Sequence, residues 1–228
     1  MTEFDACNLA YNNGVEKGMR DAGVHMVNDY GCVSNAKVFG LNDSIRRAKF
    51  PMSVDVSTLN NQLTEGIKRL AQSERGSGHD QALTGIIVQF DLTFTNKAFI
   101  EAERYHFFDF VSSQSTMHRI TKFDLDRAYI SYVDPRIINI MKENVARYHT
   151  LVDAPVRDEN AVREQYLRIL YSNPCGFRLT AGMTTNYRQL KTIYHQRKDH
   201  RLPEWREFCK WIETLPMSYL ITGEEVSK

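Results

Sequence analysis

The chain has 228 residues, 42% of them hydrophobic and 25% charged, with 29 basic against 28 acidic side chains. That is the composition of a folded globular chain, and it excludes disorder, collagen-like repeats and a fibrous coiled coil. A formal net charge of +1 gives no overall field for a nucleic-acid polymer or an acidic membrane, so an anion has to be gripped by local arginines.

The opening MTEFDACNLAYNNG lacks the basic region and apolar core of a signal peptide, and no apolar run reaches the roughly 20 residues of a membrane span. Cys7, Cys32, Cys175 and Cys209 show no C-x-x-C spacing, which fits a reducing cytoplasm and gives no metal site. Residues 1–24, loosely helical in spacing and closed by Gly23, read as an N-terminal extension. Residues 25–228 carry no linker or repeat and read as a single domain.

In chain order, His25–Tyr30 and Ala36–Leu41 are short extended pieces around Gly31. Val56, Leu59, Leu63, Ile67 and Leu70 follow a helical period up to the turn-rich RGSG at 75–78. Ile86, Val88, Phe90, Leu92 and Phe94 then alternate with a second set, the signature of a strand. Asn96 can cap a helix running through Phe107, Phe110 and Val111 towards His118. Ala128–Val133 reads as a strand, and Asp134-Pro135 opens a helix through Ile137, Met141 and Val145. Glu159–Leu170 is helical, Phe177–Thr185 extended and Asn186–Arg197 helical. Pro203 opens a last amphipathic helix with Trp205, Phe208, Ile212 and Leu215. This irregular alternation predicts α/β or α+β packing: a central mixed or antiparallel sheet with packed helices.

Two stripes carry polar residues where a core face is expected. Asn186, Leu190, Ile193 and Arg197 share one helical face, and Phe107, Val111, Gln114 and His118 repeat the spacing. A guanidinium beside buried apolar groups needs an anion, and phosphate or carboxylate suits its fork. The alternative is structural: Arg197 snorkels or meets a carboxylate, Gln114 is a satisfied amide, and His118 with Arg119 caps a helix C-terminus. Arg168, in YLRIL, has the same two readings. His79, in SGHDQ, lies on a loop just before the strand, where a ligand contact or plain solvation both fit. Cys175 is a bystander. No phosphate-cradling G-x-x-x-x-G-K, G-x-G-x-x-G or nucleophile elbow occurs.

These positions, in this order, resemble the flavin-dependent thymidylate synthases. GHDQALTGIIVQFDLTF at 78–94 is similar to the family's histidine turn and central strand. Gln114-Ser115-Thr116-Met117-His118-Arg119-Ile120 resembles the stretch in which a glutamine precedes an Arg-His-Arg triplet. Asn186-Tyr187-Arg188, then Arg197 and EWRE at 204–207, is similar to the C-terminal block, and Leu167–Leu170 resembles its preceding arginine segment. The resemblance implies an α/β homotetramer with FAD held between subunits and dUMP on the flavin. It implies FAD contacts from His118, Arg119, Asn186 and Arg188, with His79 near the flavin ring, and a nucleotide grip from Gln114, Arg168 and Arg197. The implied reaction moves a one-carbon unit from methylenetetrahydrofolate to C5 of dUMP with NADPH as reductant, forming dTMP. The chain departs from the family pattern at Met117, where the triplet has Arg, and at Thr84, near a family glutamate. It departs again over Thr121–Tyr129, where the serine beside the reacting carbon falls on Asp126 or Arg127. Arg127 then lies near the nucleotide-binding arginine and is the catalytic candidate beside His79. A variant C5 product such as a hydroxymethyl nucleotide, or an inactive relative that only binds flavin or nucleotide, is the alternative.

Overall fold

The computed structural model describes residues 14–15, 17–19, 22–74 and 76–223. The expected N-terminal extension lies largely outside them. Contacts divide the chain into two compact units. One comprises the described residues of Met1–Leu92, Tyr105–Val111 and Gly182–Lys228, the other Thr93–Arg104 and Ser112–Ala181.

The strands are β1 (His25–Met26), β2 (Val33–Phe39), β3 (Ile87–Thr95), β4 (Phe108–Ser113) and β5 (Arg178–Asn186). They lie in the order β1-β2-β3-β5-β4, and β1 with β2 and β2 with β3 pair antiparallel. The helices are α1 (Leu41–Arg47), α2 (Glu65–Ala71), α3 (Asn96–Ala102), α4 (Thr116–Arg119), α5 (Pro135–Val152), α6 (Glu159–Ser172), α7 (Tyr187–Arg197), α8 (Pro203–Glu213) and α9 (Tyr219–Thr222). The architecture is therefore the expected mixture of a largely antiparallel sheet and helices.

In the first unit, Ile86 just before β3 and Val88, Phe90 and Leu92 within it turn inward, as the alternation requires. The Phe90 ring lies 4.8 Å from Trp211, 5.8 Å from Phe208 and 6.1 Å from Phe108. Helix α8 supplies Phe208 and Trp211 from its apolar stripe, and α7 adds Leu190 and Ile193, both fully buried. At the start of α1, Gly40 adopts φ +73°, and a Cβ there would come 2.5 Å from the carbonyl oxygen of Gly85. Only glycine permits that approach, which sets the 3-10 turn Gln81–Gly85 directly against the helix start.

The second unit packs Ile120, Leu125, Tyr129, Met141, Ile169 and Phe177 into its own core. Its helical pair starts as the sequence predicts. Asp134 accepts the Arg136 N–H at 2.9 Å ahead of Pro135, and Asp158 accepts the Asn160 and Ala161 N–H groups.

Four expectations are corrected. The helix from Val56 shrinks to a 3-10 turn at Val56–Thr58 and α2, because Asp55 bonds Ser57 and only Thr64 provides a helix cap. The helix at Asn96 is capped one residue earlier, by Thr95 accepting the Ala98 N–H at 3.2 Å. That helix stops at Ala102 and does not reach His118. Phe107 has φ +60°, and Phe108–Ser113 leaves as strand β4 instead. Its Phe and Val content favours that state, so the stripe Phe107, Val111, Gln114 and His118 is not one helix face. Finally, Ala128–Val133 is not a strand. Tyr129 makes a single bridge to Phe177, and the chain turns through the Val133 to Ile130 bond.

Phe90→Ala removes the ring on which three others converge and should cost about 3–5 kcal/mol of stability. Phe90→Leu, which keeps most of the volume, should cost less than half as much in the same urea unfolding series.

Candidate functional site

The first unit holds its candidates around the turn that precedes β3. His79 is exposed there, with its N–H on Ser77 Oγ at 3.3 Å. It opens onto a cleft of about 690 Å³ walled by Ala48, Pro51, Met52, Ile67, Leu70 and Leu83. That volume lies in the range of roughly 300–1,000 Å³ usual for small-molecule sites, and the wall is mostly apolar.

The neighbouring Asp80 is buried, with 4% of its side chain exposed. A buried carboxylate needs partners, and two cations supply them. Arg188 Nε donates to Asp80 Oδ1 at 2.9 Å, and Arg188 Nη1 donates to Gln81 Oε1 at 2.9 Å. Lys191 Nζ donates to Asp80 Oδ2 at 3.2 Å, to the Ala71 carbonyl at 2.7 Å and to the Ser73 carbonyl at 2.8 Å. Asp80 and Lys191 also line a second cavity of about 410 Å³ that includes His195. Partial burial, then the Lys191 and Lys198 charges, pull the His195 imidazole below its ordinary pKa, so the ring favours its neutral form. Sequence reasoning missed Asp80 and Lys191. The available signals were a carboxylate beside the loop histidine and a lysine three residues after Arg188, on one helix face.

Asn186 is the N-cap of α7, its side chain accepting the Gln189 N–H at 2.9 Å. Tyr187 N–H donates to the Ile86 carbonyl at 3.0 Å, fixing the helix start beside β3. Asn186, Arg188 and the His79 turn are thereby brought together.

Arg197 lies at the other end of α7. As its stripe predicts, Leu190 and Ile193 are buried and Arg197 is half-buried. Its guanidinium carbon stands 4.9 Å from the Trp205 ring centre and 5.5 Å from that of Tyr105. Nε donates to the Tyr105 hydroxyl at 2.7 Å, and Nη1 meets His200 Nε2 at 2.7 Å. Two rings and two hydrogen bonds therefore hold the fork in one orientation.

The remaining candidates lie in the second unit. Gln114 follows β4 and is built into the sheet. Its N–H donates to the Thr180 carbonyl and its Oε1 accepts the Thr180 N–H, both at 3.0 Å. His118 and Arg119 are exposed on α4, which Tyr166 ties to α6 by donating its hydroxyl to the Met117 carbonyl at 2.9 Å. Arg168 is exposed on α6. Arg127 is exposed, 3.6 Å from Asp124, while Asp126 pairs with Lys142. Tyr129 is buried, its hydroxyl on Asn173 Oδ1 at 3.1 Å, and burial pushes its phenol up to about 12. Among the described residues no hydrogen bond or ion pair joins any two of Gln114, His118, Arg119, Arg127 and Arg168.

Among the described residues no helix is long and apolar enough to cross a membrane. No protein-family profile matches the sequence, and no curated protein matches it. Solved structures do. A flavin-dependent thymidylate synthase ThyX from Helicobacter pylori, complexed with FAD and dUMP, superposes with a TM-score of 0.59 at 14% identity, covering 88% of this chain and 98% of that one. A second Helicobacter pylori thymidylate synthase X structure, also with FAD and dUMP, gives 0.57 at 14% identity over 86% and 94%. At such identity the likeness is one of fold: this chain is folded as those flavin-dependent thymidylate synthases are.

Proposed function

We propose that the chain is an FAD-dependent enzyme of the thymidylate synthase type, acting on C5 of dUMP as a cytoplasmic homotetramer. One observation carries the reading. Two of the sequence blocks of the resemblance, 107 and 108 residues apart at their contacts, meet where Arg188 bonds Gln81 and Asp80 beside His79. The side chains there suit a flavin with its phosphates. The walls are apolar enough for a planar ring, Arg188 and Lys191 outnumber Asp80 in charge, and the buried Ser44 hydroxyl at the cleft has no hydrogen-bond partner among the described residues.

In this reading Asn186, Arg188, His118 and Arg119 hold the cofactor, and His79 stands against its ring. Gln114, Arg168 and Arg197 grip the nucleotide, the pre-oriented fork of Arg197 suiting a phosphate. Arg127 stabilises negative charge developing on the pyrimidine oxygens. Bound FAD, recharged by NADPH, would supply the hydride that reduces the one-carbon unit delivered by methylenetetrahydrofolate. The protein contributes orientation and anion binding. The rewritten segment favours a second reading, a C5 product other than dTMP or a relative that only binds. Asp126 and Arg127, at the place of the family serine, are engaged by Lys142 and Asp124.

The purified protein should absorb near ~450 nm, where oxidised flavin does. Arg197→Ala should weaken dUMP binding by roughly 2–4 kcal/mol, the loss expected for a charged, partly desolvated partner. Calorimetry showing unchanged affinity would confine Arg197 to its aromatic cage. Light scattering should return four times the 26.4 kDa chain mass, and a monomer at micromolar concentration would leave a flavin site shared between subunits incomplete. Tritium should leave C5-labelled dUMP in the presence of methylenetetrahydrofolate and NADPH. Background release with flavin and dUMP both bound would leave the binding-only relative.

A further inference from the structure

A single carboxylate facing a single guanidinium makes a neutral pair, and Arg188 paired only with Asp80 would offer little to an anion. Lys191 changes that arithmetic. Its ammonium has 9% of the side chain exposed, and its three donors are filled by Asp80 and the carbonyls of Ala71 and Ser73. It cannot grip a ligand itself, yet its charge stands beside the same carboxylate, which both cations share. Arg188, by contrast, keeps about a third of its side chain exposed. Among the described residues, only its Nε and Nη1 are engaged, by Asp80 and Gln81.

We propose that Lys191 is a positioning residue for anion capture. By sharing the Asp80 carboxylate it leaves a net positive charge, which the exposed edge of Arg188 presents to the phosphate groups of a ligand next to the His79 cleft. The inference rests on the flavin reading and adds to it a residue that touches no ligand. Its signature is electrostatic: what matters is the net charge of Arg188, Asp80 and Lys191 together, which is magnified where water is largely excluded.

The test is titration of the full-length protein with FAD, followed by flavin fluorescence, for the wild type, Lys191→Met, Asp80→Asn and the double variant. Lys191→Met makes the cluster neutral and should weaken FAD by about tenfold or more, equivalent to about 1.4 kcal/mol. Asp80→Asn adds a charge and should bind FAD at least as tightly as the wild type, with a steeper salt dependence. The double variant restores the wild-type charge and should return to within about threefold of its affinity. A merely structural clamp predicts the opposite order, with Asp80→Asn weakened and the double variant worse than either single one, and that result overturns the proposal. Should Lys191→Met fail to fold, Asp80→Asn decides alone, since weaker binding there refutes the charge argument. If the wild type binds no FAD, the flavin reading falls and takes this inference with it. Wild-type binding with an unchanged Lys191→Met overturns the inference alone.

Discussion

The structure of the first unit turns on one buried carboxylate. Asp80 is withdrawn from water, and an uncompensated charge there would cost several kcal/mol, so the turn that carries it has to find cations. Both come from α7, at Arg188 and Lys191, three residues apart on one helix face. The same lysine also gathers the carbonyls of Ala71, the last residue of α2, and of Ser73 just beyond it. One charge requirement thus fixes three separate stretches of chain: the end of α2, the histidine turn and the first turns of α7. The value of such a cluster lies in specifying one arrangement more than in net stability, because apolar packing would hold the same segments at lower desolvation cost.

The two arginines of α7 have different environments for a reason visible in their neighbours. Arg188 faces a carboxylate and a carboxamide, so its charge is shared through directional bonds. Arg197 faces the rings of Tyr105 and Trp205, with a phenol and an imidazole as hydrogen-bond partners. Aromatic faces attract a cation through the ring quadrupole, so the two rings help to orient the guanidinium. A stripe pattern alone distinguishes neither environment.

What the sequence revealed and what it hid follow from how local the causes are. β3 is legible because one face is buried and every second residue must be apolar. The helix after Asp134 is legible because cap and proline act within three residues. The segment from Asn96 to His118 misleads because Phe107, Val111, Gln114 and His118 fit a helical period by coincidence. Its real bonds go to a strand some seventy residues away, as Gln114 and Thr180 show, 66 residues apart. The site behaves alike. His79 and Arg188 stand out by motif, while the Asp80–Lys191 pairing closes across 111 residues and leaves no local trace. Arg197 was marked by its apolar neighbours on the helix, but the rings that hold it come from Tyr105 and Trp205, which no helical period connects to it.

The contact between Gly40 and Gly85 has a consequence for how the cleft can breathe. There the main chain of one segment touches the main chain of another with no side chain between them, so no rotamer change can alter the spacing. The Gln81–Gly85 wall is therefore pinned to the start of α1 and moves only with it. The opposite wall is built differently: Pro51 and Met52 belong to a short 3-10 turn, and Met52 is 93% exposed. Side-chain hops on the picosecond-to-nanosecond scale suffice to reshape that side. Widening of the cleft is thus asymmetric, with one rim that keeps its register and one rim that side-chain motion can reshape.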